Sequence, residues 1–330
     1  YKEILEEYLE ELLDHDDLRY TRSQAENILG STLFAIEAWT PAGKEDWKEA
    51  LKGVNVHMEH VRIRPEETVP TFMENAGYRK VGEDLVKVYD VPSIEDKDPS
   101  LWVLIFFTLF FAMIVADAGY GLLFLIASLI ANTVFRKAEG LTKRLLKLAL
   151  ILSSACVVWG VLTASYFGMQ LSPENPLSKS SLIYHVSKKK ILYQIEKKGS
   201  VYNDWIKEYP QLAQETSPEA FLQRGAKIKD GKVQYELAED LFLANLLEFS
   251  LLIGTLHIIL SLLRGSRKNL GSLGWVLFAV GAFLYFPTYM GVPTLLNELG
   301  IISEENAAIY GLQFIAIGIA FATMVALFKR

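Results

Sequence analysis

The sequence predicts a mostly α-helical protein in two parts: a small α/β cytoplasmic lobe with a helical stalk, then a polytopic α-helical membrane domain of six spans. Three observations carry this reading. Of 330 residues, 51% are hydrophobic and yet 22% are charged, a mixture that suits a soluble body joined to a membrane body. The charge is segregated: residues 1–98 hold 12 Lys and Arg against 23 Asp and Glu, a net of −11, and the remainder holds 21 against 16, a net of +5. From residue 101 onward, uncharged apolar windows of spanning length recur.

The sequence opens at Tyr1 inside a helical pattern and without Met, so it reads as a piece of a longer polypeptide. Ile4, Leu5, Tyr8, Leu9, Leu12 and Leu13 recur at helical spacing with glutamates between them, which predicts an amphipathic stalk helix over the first 29 residues. Thr32 to Thr40 reads as a buried strand ended by the turn Pro41-Ala42-Gly43. Lys44 to Leu51 reads as a short helix, and Val54 to Arg64 as a second strand. His57 and His60 have no cysteine or third histidine nearby, so no metal site is assigned. Residues 65–98 form a polar, Pro-punctuated lead into the membrane. Cys156, the lone cysteine, lies in an apolar run and reads as a buried, inert thiol.

The apolar windows are Leu101–Phe135, Leu145–Met169, Leu241–Leu263, Leu270–Met290 and Ala307–Phe328. The first holds an acid, Asp117, among residues that are otherwise uncharged. As one helix it would be about 52 Å long, against a hydrocarbon core of about 30 Å. A hairpin turning at Asp117-Ala118-Gly119-Tyr120-Gly121 gives two short but workable spans. The hairpin also places the basic segments Arg136–Lys147, Arg264–Lys268 and Lys329-Arg330 on the side of residues 1–98, the cytoplasm by the positive-inside rule. A single first helix would instead put the acidic front outside. The domains are then 1–98 (cytoplasmic), 99–169 (spans 1–3, with the hairpin at 101–135 and the third span at 145–169), 170–240 (an extracytoplasmic loop or cap) and 241–330 (spans 4–6). The 170–240 loop carries 11 Lys and Arg against 10 Asp and Glu, a balance that argues for a folded cap and against nucleic-acid binding.

Asp117 and Glu248 are acids inside the spans, and His257 joins them. Ionisable groups in a bilayer are costly, so each is a candidate for lining an ion path or for a structural role. Asp117 also suits an N-cap of the second hairpin helix, with Gly119, Tyr120 and Gly121 forming the turn. Glu248 suits a solvated carboxylate near the outer interface, and His257 an interhelical packing group. Glu248 and His257 are nine residues apart on different faces of one helix, so they form no direct couple. Gly160, Gly168, Gly254, Gly271, Gly274, Gly281 and Gly318 read as small residues for close span packing. The sequence has no phosphate-cradling Gly-rich loop, nucleophile elbow or paired-cysteine motif, so no catalytic residue, cofactor or nucleotide site is assigned.

Asp98-Pro99-Ser100, the Phe-rich run after it and Asp117-Ala118-Gly119-Tyr120-Gly121-Leu122 resemble the membrane entry of subunit a (subunit I), the stator subunit of V-type and A-type rotary ATPases. Trp39-Thr40-Pro41-Ala42, Pro70-Thr71 with Asn75, Tyr89 with Pro92, Trp159-Gly160 through Tyr166-Phe167-Gly168, and Gly254-Thr255-Leu256-His257 are similar to the family in the same order. The resemblance implies a non-catalytic stator subunit, part of a proton or sodium path driven by ATP hydrolysis elsewhere. The implied partners are a rotor ring of proteolipid subunits, peripheral stalk subunits, a central-stalk or ring adaptor, and the bilayer. It also implies an essential arginine on a seventh span. No basic residue lies in the interior of a predicted span, so the sequence resembles the back of the cytoplasmic domain plus six spans, without that arginine. The competing expectation is an independent multispan ion or solute transporter using Asp117 and Glu248.

Overall fold

The computed structural model describes residues 69–94, 96–229, 231–266, 269–289 and 294–328 continuously, together with residues 15, 19–20, 26–28, 33–35, 37–40, 53, 56–57, 59, 61–64 and 67. The predicted helix 44–51, Pro41-Ala42, His60 and the basic residues Arg267, Lys268, Lys329 and Arg330 lie outside the described residues. The chain divides into two compact units, Tyr1–Glu74 with Tyr89–Asp98, and Asn75–Val88 with Pro99–Arg330.

In the first unit, β1 (Glu26–Ile28) pairs antiparallel with β2 (Leu33–Ala35), Asn27 opposite Phe34. This corrects two expectations. Residues 26–28, read as the end of the stalk helix, are strand, because Ile28 lies opposite Leu33 and Glu26 opposite Ala35 in an antiparallel ladder. The described residues of the expected second strand, 56–57, 59 and 61–64, have no ladder partner. Further on, the Thr71 hydroxyl donates to the Pro92 carbonyl at 2.6 Å, closing the Pro-rich lead on itself.

The second unit begins with α1 (Tyr78–Lys87), which was not expected in the polar lead. Tyr78, Val81, Gly82, Leu85 and Val86 share one face at helical spacing, and Val81 and Val86 are buried. A Cβ on Gly82 would lie 2.0 Å from the Ser100 carbonyl oxygen, so only glycine lets α1 lie against the start of the first apolar helix. Glu83 is buried beside it. One of its oxygens takes Lys80 and Lys87, each at 2.7 Å, and the other accepts the backbone and side-chain N–H groups of Asn75, each at 3.2 Å. Burial pushes the Glu83 carboxyl up, but the bonds from Lys80, Lys87 and Asn75 outweigh it and hold the group below the usual carboxylate range.

The first apolar window is two helices, α2 (Ser100–Val115) and α3 (Ala118–Val134), broken at Ala116 and Asp117. At 16 and 17 residues they are about 24 and 26 Å long. Both pack on α4 (Gly140–Leu162). The Ser100 end of α2 and the Arg144 end of α4 meet on α1, through Gly82 and the Asp84–Arg144 ion pair. At the other end Gly160 of α4 abuts Ala118, where a Cβ would lie 1.9 Å from the Ala118 nitrogen. Thus α2 and α4 run parallel and α3 antiparallel to both.

After α4 a two-residue antiparallel pair, β3 (Ser165–Tyr166) with β4 (Met169–Gln170), closes over Phe167-Gly168. The 170–240 segment then folds as a cap: α5 (Pro176–Lys179), α6 (Leu182–Lys197), α7 (Ser200–Glu208), α8 (Pro218–Arg224) and the hairpin β5 (Lys227–Lys229) with β6 (Lys232–Gln234). Its core is Ile183, Tyr184, Ile191, Tyr209, Leu212, Phe221 and Leu222, joined by Leu237, Ala238, Leu241 and Phe242 of α9 (Glu236–Gly265). The 30 residues of α9 are about 45 Å long, so its first turns belong to the cap and the rest forms the apolar run.

α10 (Gly271–Tyr289) and α12 (Glu304–Phe328) form the most intimate pair, with the short α11 (Leu295–Glu298) between them in sequence. Gly274 faces Gly318 and Gly281 faces Gly311; Cβ atoms there would lie 2.5 and 2.6 Å from the opposing glycine carbonyls. Two glycines seven residues apart on each antiparallel helix bring the backbones together. Two other glycines were misassigned to packing. Gly254 has open space where its Cβ would be, and Gly168 is a turn residue at φ 72°.

Among the described residues the chain is thus mostly helical, with four helices long and apolar enough to cross a membrane, α4, α9, α10 and α12, and two shorter apolar helices, α2 and α3. We expect Gly318→Ala and Gly281→Ala to destabilise the protein by about 1–3 kcal/mol through overpacking. Gly254→Ala should be neutral, or stabilising by up to about 1 kcal/mol. Thermal unfolding in detergent, followed by circular dichroism, separates these outcomes; equal effects at all three sites would contradict the packing. Because Glu83 is held below its ordinary range in the fold, its contribution is present above that range and lost as pH falls through the folded value. The wild type should therefore lose more stability than Glu83→Gln between about pH 5 and 3, measured by the same unfolding assay.

Candidate functional site

The α2–α3 break is built around Asp117. Ala116 turns left-handed, φ 45° and ψ 37°, and its N–H closes α2 on the Ala112 carbonyl at 2.8 Å. Asp117 is extended, φ −146° and ψ 122°, which ends one helix and starts the next. The residue is only 3% exposed. Oδ1 accepts the Tyr120 N–H at 2.8 Å, the N-cap bond of α3. The same oxygen accepts the Phe167 N–H at 2.9 Å, and Oδ2 accepts the Gly168 N–H at 2.6 Å.

Phe167 and Gly168, with φ 55° and 72°, have the positive-φ pattern of a primed hairpin turn. That conformation aims their two adjacent N–H groups at one anion, a nest to which the positive end of α3 adds. The Phe167 ring covers Gly119, where a Cβ would lie 2.7 Å from it, and meets the Tyr120 ring edge-on with centroids 5.6 Å apart. A Cβ on Gly121 would lie 2.7 Å from the Val157 nitrogen. Asp117 therefore ties the α2–α3 turn to the segment after α4, with three backbone donors and no cation.

Glu248 sits in a second, separate cluster. Lys190, on α6, reaches Glu248 Oε1 at 2.7 Å and Glu298 Oε2 at 2.9 Å, and its side chain is 4% exposed. Gln194 Nε2 donates to Glu298 Oε1 at 3.4 Å, and Asn245 Nδ2 to the Ser187 hydroxyl at 2.7 Å. Farther along α6, Tyr193 and Lys197 reach Glu304 at 3.1 and 2.5 Å. Ser187, Lys190, Gln194 and Lys197 share one face of α6, forming a polar seam against α9, α11 and α12. The expectation of a solvated Glu248 is corrected: its side chain is 24% exposed and ion-paired, because the cap helix covers that end of α9. Burial pushes the Glu298 carboxyl above the usual range, with Lys190 opposing and Glu248 adding to the rise.

His257 packs on α2, its ring 4.3 Å from Phe106 and 5.3 Å from Phe110 between centroids. The structure therefore does not bring the three sequence candidates together. Asp117, Glu248 and His257 each have their own partners and form no shared ligand set. Sequence reading missed Lys190 and Glu298. Lys190 was hidden in the run Lys188-Lys189-Lys190, where only the fold says which lysine turns inward. The signal for Glu298 was local: Thr294 and Asn297 form a reciprocal cap that starts α11 and sets the direction of Glu298. Between α9 and α10 lies an apolar cleft of about 520 Å³ lined by residues including Leu251, Thr255, Ile258, Trp275 and Phe286; its lining holds no ionisable group.

Asp117→Ala should strand the Tyr120, Phe167 and Gly168 amides, at about 1–3 kcal/mol for each buried unsatisfied donor. Asp117→Asn, which keeps one acceptor oxygen, should lose less. Thermal unfolding together with protease nicking at residues 165–170 checks the order Ala below Asn below wild type; an unaffected Asp117→Ala would contradict the tie.

No family model matches the chain. It is 35% identical to V-type ATP synthase subunit I of Chlamydia pneumoniae over 98% of this chain and 50% of that protein. Against V-type ATP synthase subunit I of Chlamydia trachomatis it is 33% identical, over 100% of this chain and 52% of the relative. It is 32% identical to A-type ATP synthase subunit I of Methanocaldococcus jannaschii over 51% of this chain and 24% of that protein. The chain spans about half the length of the V-type relatives it matches along its whole extent. With its apolar helices and this similarity from end to end, the chain belongs to the subunit I family of V-type and A-type ATP synthases.

Proposed function

We propose that this chain is the bracing part of the static membrane subunit of a rotary V/A-type ATPase, in which ATP turnover on other subunits drives protons or sodium ions across the membrane. The observation that carries this reading is the similarity to V-type ATP synthase subunit I along 98–100% of this chain. In this reading α2, α3, α4, α9, α10 and α12 are six spans. Residues 1–98 lie in the cytoplasm with the basic segments 136–147 and 264–268, and the 170–240 cap lies on the far side. The chain itself carries no nucleotide chemistry. Its partners are the proteolipid rotor ring, the peripheral stalks and the ring adaptor, held in place against the lipid bilayer.

The chemistry of the candidate residues favours bracing over conduction. Asp117 spends its carboxylate on three backbone donors, so it positions the hairpin against α4. His257 lies between aromatic rings of α2 and spaces α9 from it. A proton wire needs groups that exchange partners, and these two are fixed by the fold.

The test is reconstitution. The chain alone in liposomes should give a proton flux equal to that of protein-free vesicles under an imposed gradient. In the full assembly Asp117→Asn should reduce pumping only in proportion to the loss of assembled complex. Flux through the isolated chain, or an Asp117→Asn complex that assembles fully yet does not pump, would overturn the bracing role.

A further inference from the structure

The bracing role makes no use of the charges around Lys190, and those charges do not balance. Two carboxylates, Glu248 and Glu298, share one ammonium, with the Glu298 side chain 7% exposed and Lys190 4% exposed. The groups that face Glu298 are Lys190 and Gln194 from α6 and Glu248 from α9. Lys189, Tyr193 and Glu196 border the open cleft of about 240 Å³ beside Glu298, and Lys197 is engaged by Glu304. With all three groups of the cluster ionised, a net negative charge would sit in a poorly solvated site, with two like charges on a single cation.

We propose that the Lys190–Glu248–Glu298 cluster holds one exchangeable proton on Glu298, and that this proton clasps the cap helix α6 to α9 and α11. Geometry supplies each part. The shared ammonium sets the two carboxyls next to one another, so a proton on Glu298 leaves a neutral cluster of one ion pair and one carboxylic acid. The cleft gives Glu298 a route to water, so the proton equilibrates with the medium on the cap's side. Glu248 Oε2 has no hydrogen-bond partner and Glu298 Oε2 has only the Lys190 ammonium, so a carboxylic O–H adds a donor to a site rich in acceptors. All three elements meet there, so losing the proton acts on the docking of the cap as a whole.

The sign follows from linkage. Glu298 is held above the usual carboxylate range in the folded protein, so the clasp is fully formed below that range and weakens as pH rises through the folded value. The cap is therefore tightest when the medium on its side is acidic, and it loosens as that medium is made alkaline.

The experiment uses the whole chain in lipid nanodiscs. Infrared spectroscopy should show a protonated-carboxyl C=O band at pH values where surface carboxyls are ionised. That band should disappear as pH rises, while the amides of α6 lose protection and exchange hydrogen faster after correction for intrinsic rates. Glu298→Gln, which cannot ionise, should lack the band and show α6 exchange that no longer changes with pH. The proposal is overturned if the wild type has no such band, if the band survives in Glu298→Gln, or if wild-type α6 protection is flat across the titration. The wild-type titration decides the matter by itself should the variant fail to fold.

Discussion

The Asp117 carboxylate accepts N–H groups from Tyr120 at the start of α3 and from Phe167 and Gly168 after α4, 47 and 48 residues further along, and the packing of α2, α3 and α4 depends on it. A buried carboxylate is expensive, and here three backbone donors offset the cost. Each donor is aimed by a local conformation: the first turn of α3 for Tyr120, and the positive-φ turn for Phe167 and Gly168. The glycines around it, Gly119, Gly121 and Gly160, are what let the strands of chain approach closely enough for those bonds. At the other end of the same helices, Gly82 and the Asp84–Arg144 pair do the equivalent work through α1. Thus α2 and α4 are held at both ends, α3 is held at its Asp117 end, and all three pack along their length.

The remaining helices are held by a different arrangement. α10 and α12 meet through a glycine ladder that needs no polar group. The cap helix α6 then ties α9, α11 and α12 together along a polar seam. A cap with its own hydrophobic core gives α6 a rigid platform, so the seam acts as a clamp across helices that have few side-chain bonds between them in the apolar layer. Polar ties at the ends of short helices add orientation to what packing along their length supplies.

Much of this was legible in the sequence. The length of the 101–135 window and the acid within it imply a break, and Asp117 stands at an N-cap before small residues, so the turn could be read locally. The second half of its role could not, because the Phe167 and Gly168 donors come from a tertiary contact that no spacing rule reports. The same holds for Glu248: its distance from the window edge predicted solvent, and only the folded cap removes it. α1 was hidden by composition, since its apolar face is carried by five residues in a stretch rich in charge and proline. Gly254 and Gly281 look alike in sequence, and only the helix opposite each one separates open space from a close contact.

The central claim is that one carboxylate joins the hairpin turn to the segment after α4, and backbone amide exchange addresses it directly. Residue-resolved hydrogen exchange on the wild-type protein in nanodiscs should find the Tyr120, Phe167 and Gly168 amides as slow as those in the middle of α3. Loop-like exchange at Phe167 and Gly168, with Tyr120 still protected, would mean that Asp117 caps its own helix and nothing more, and would contradict the account.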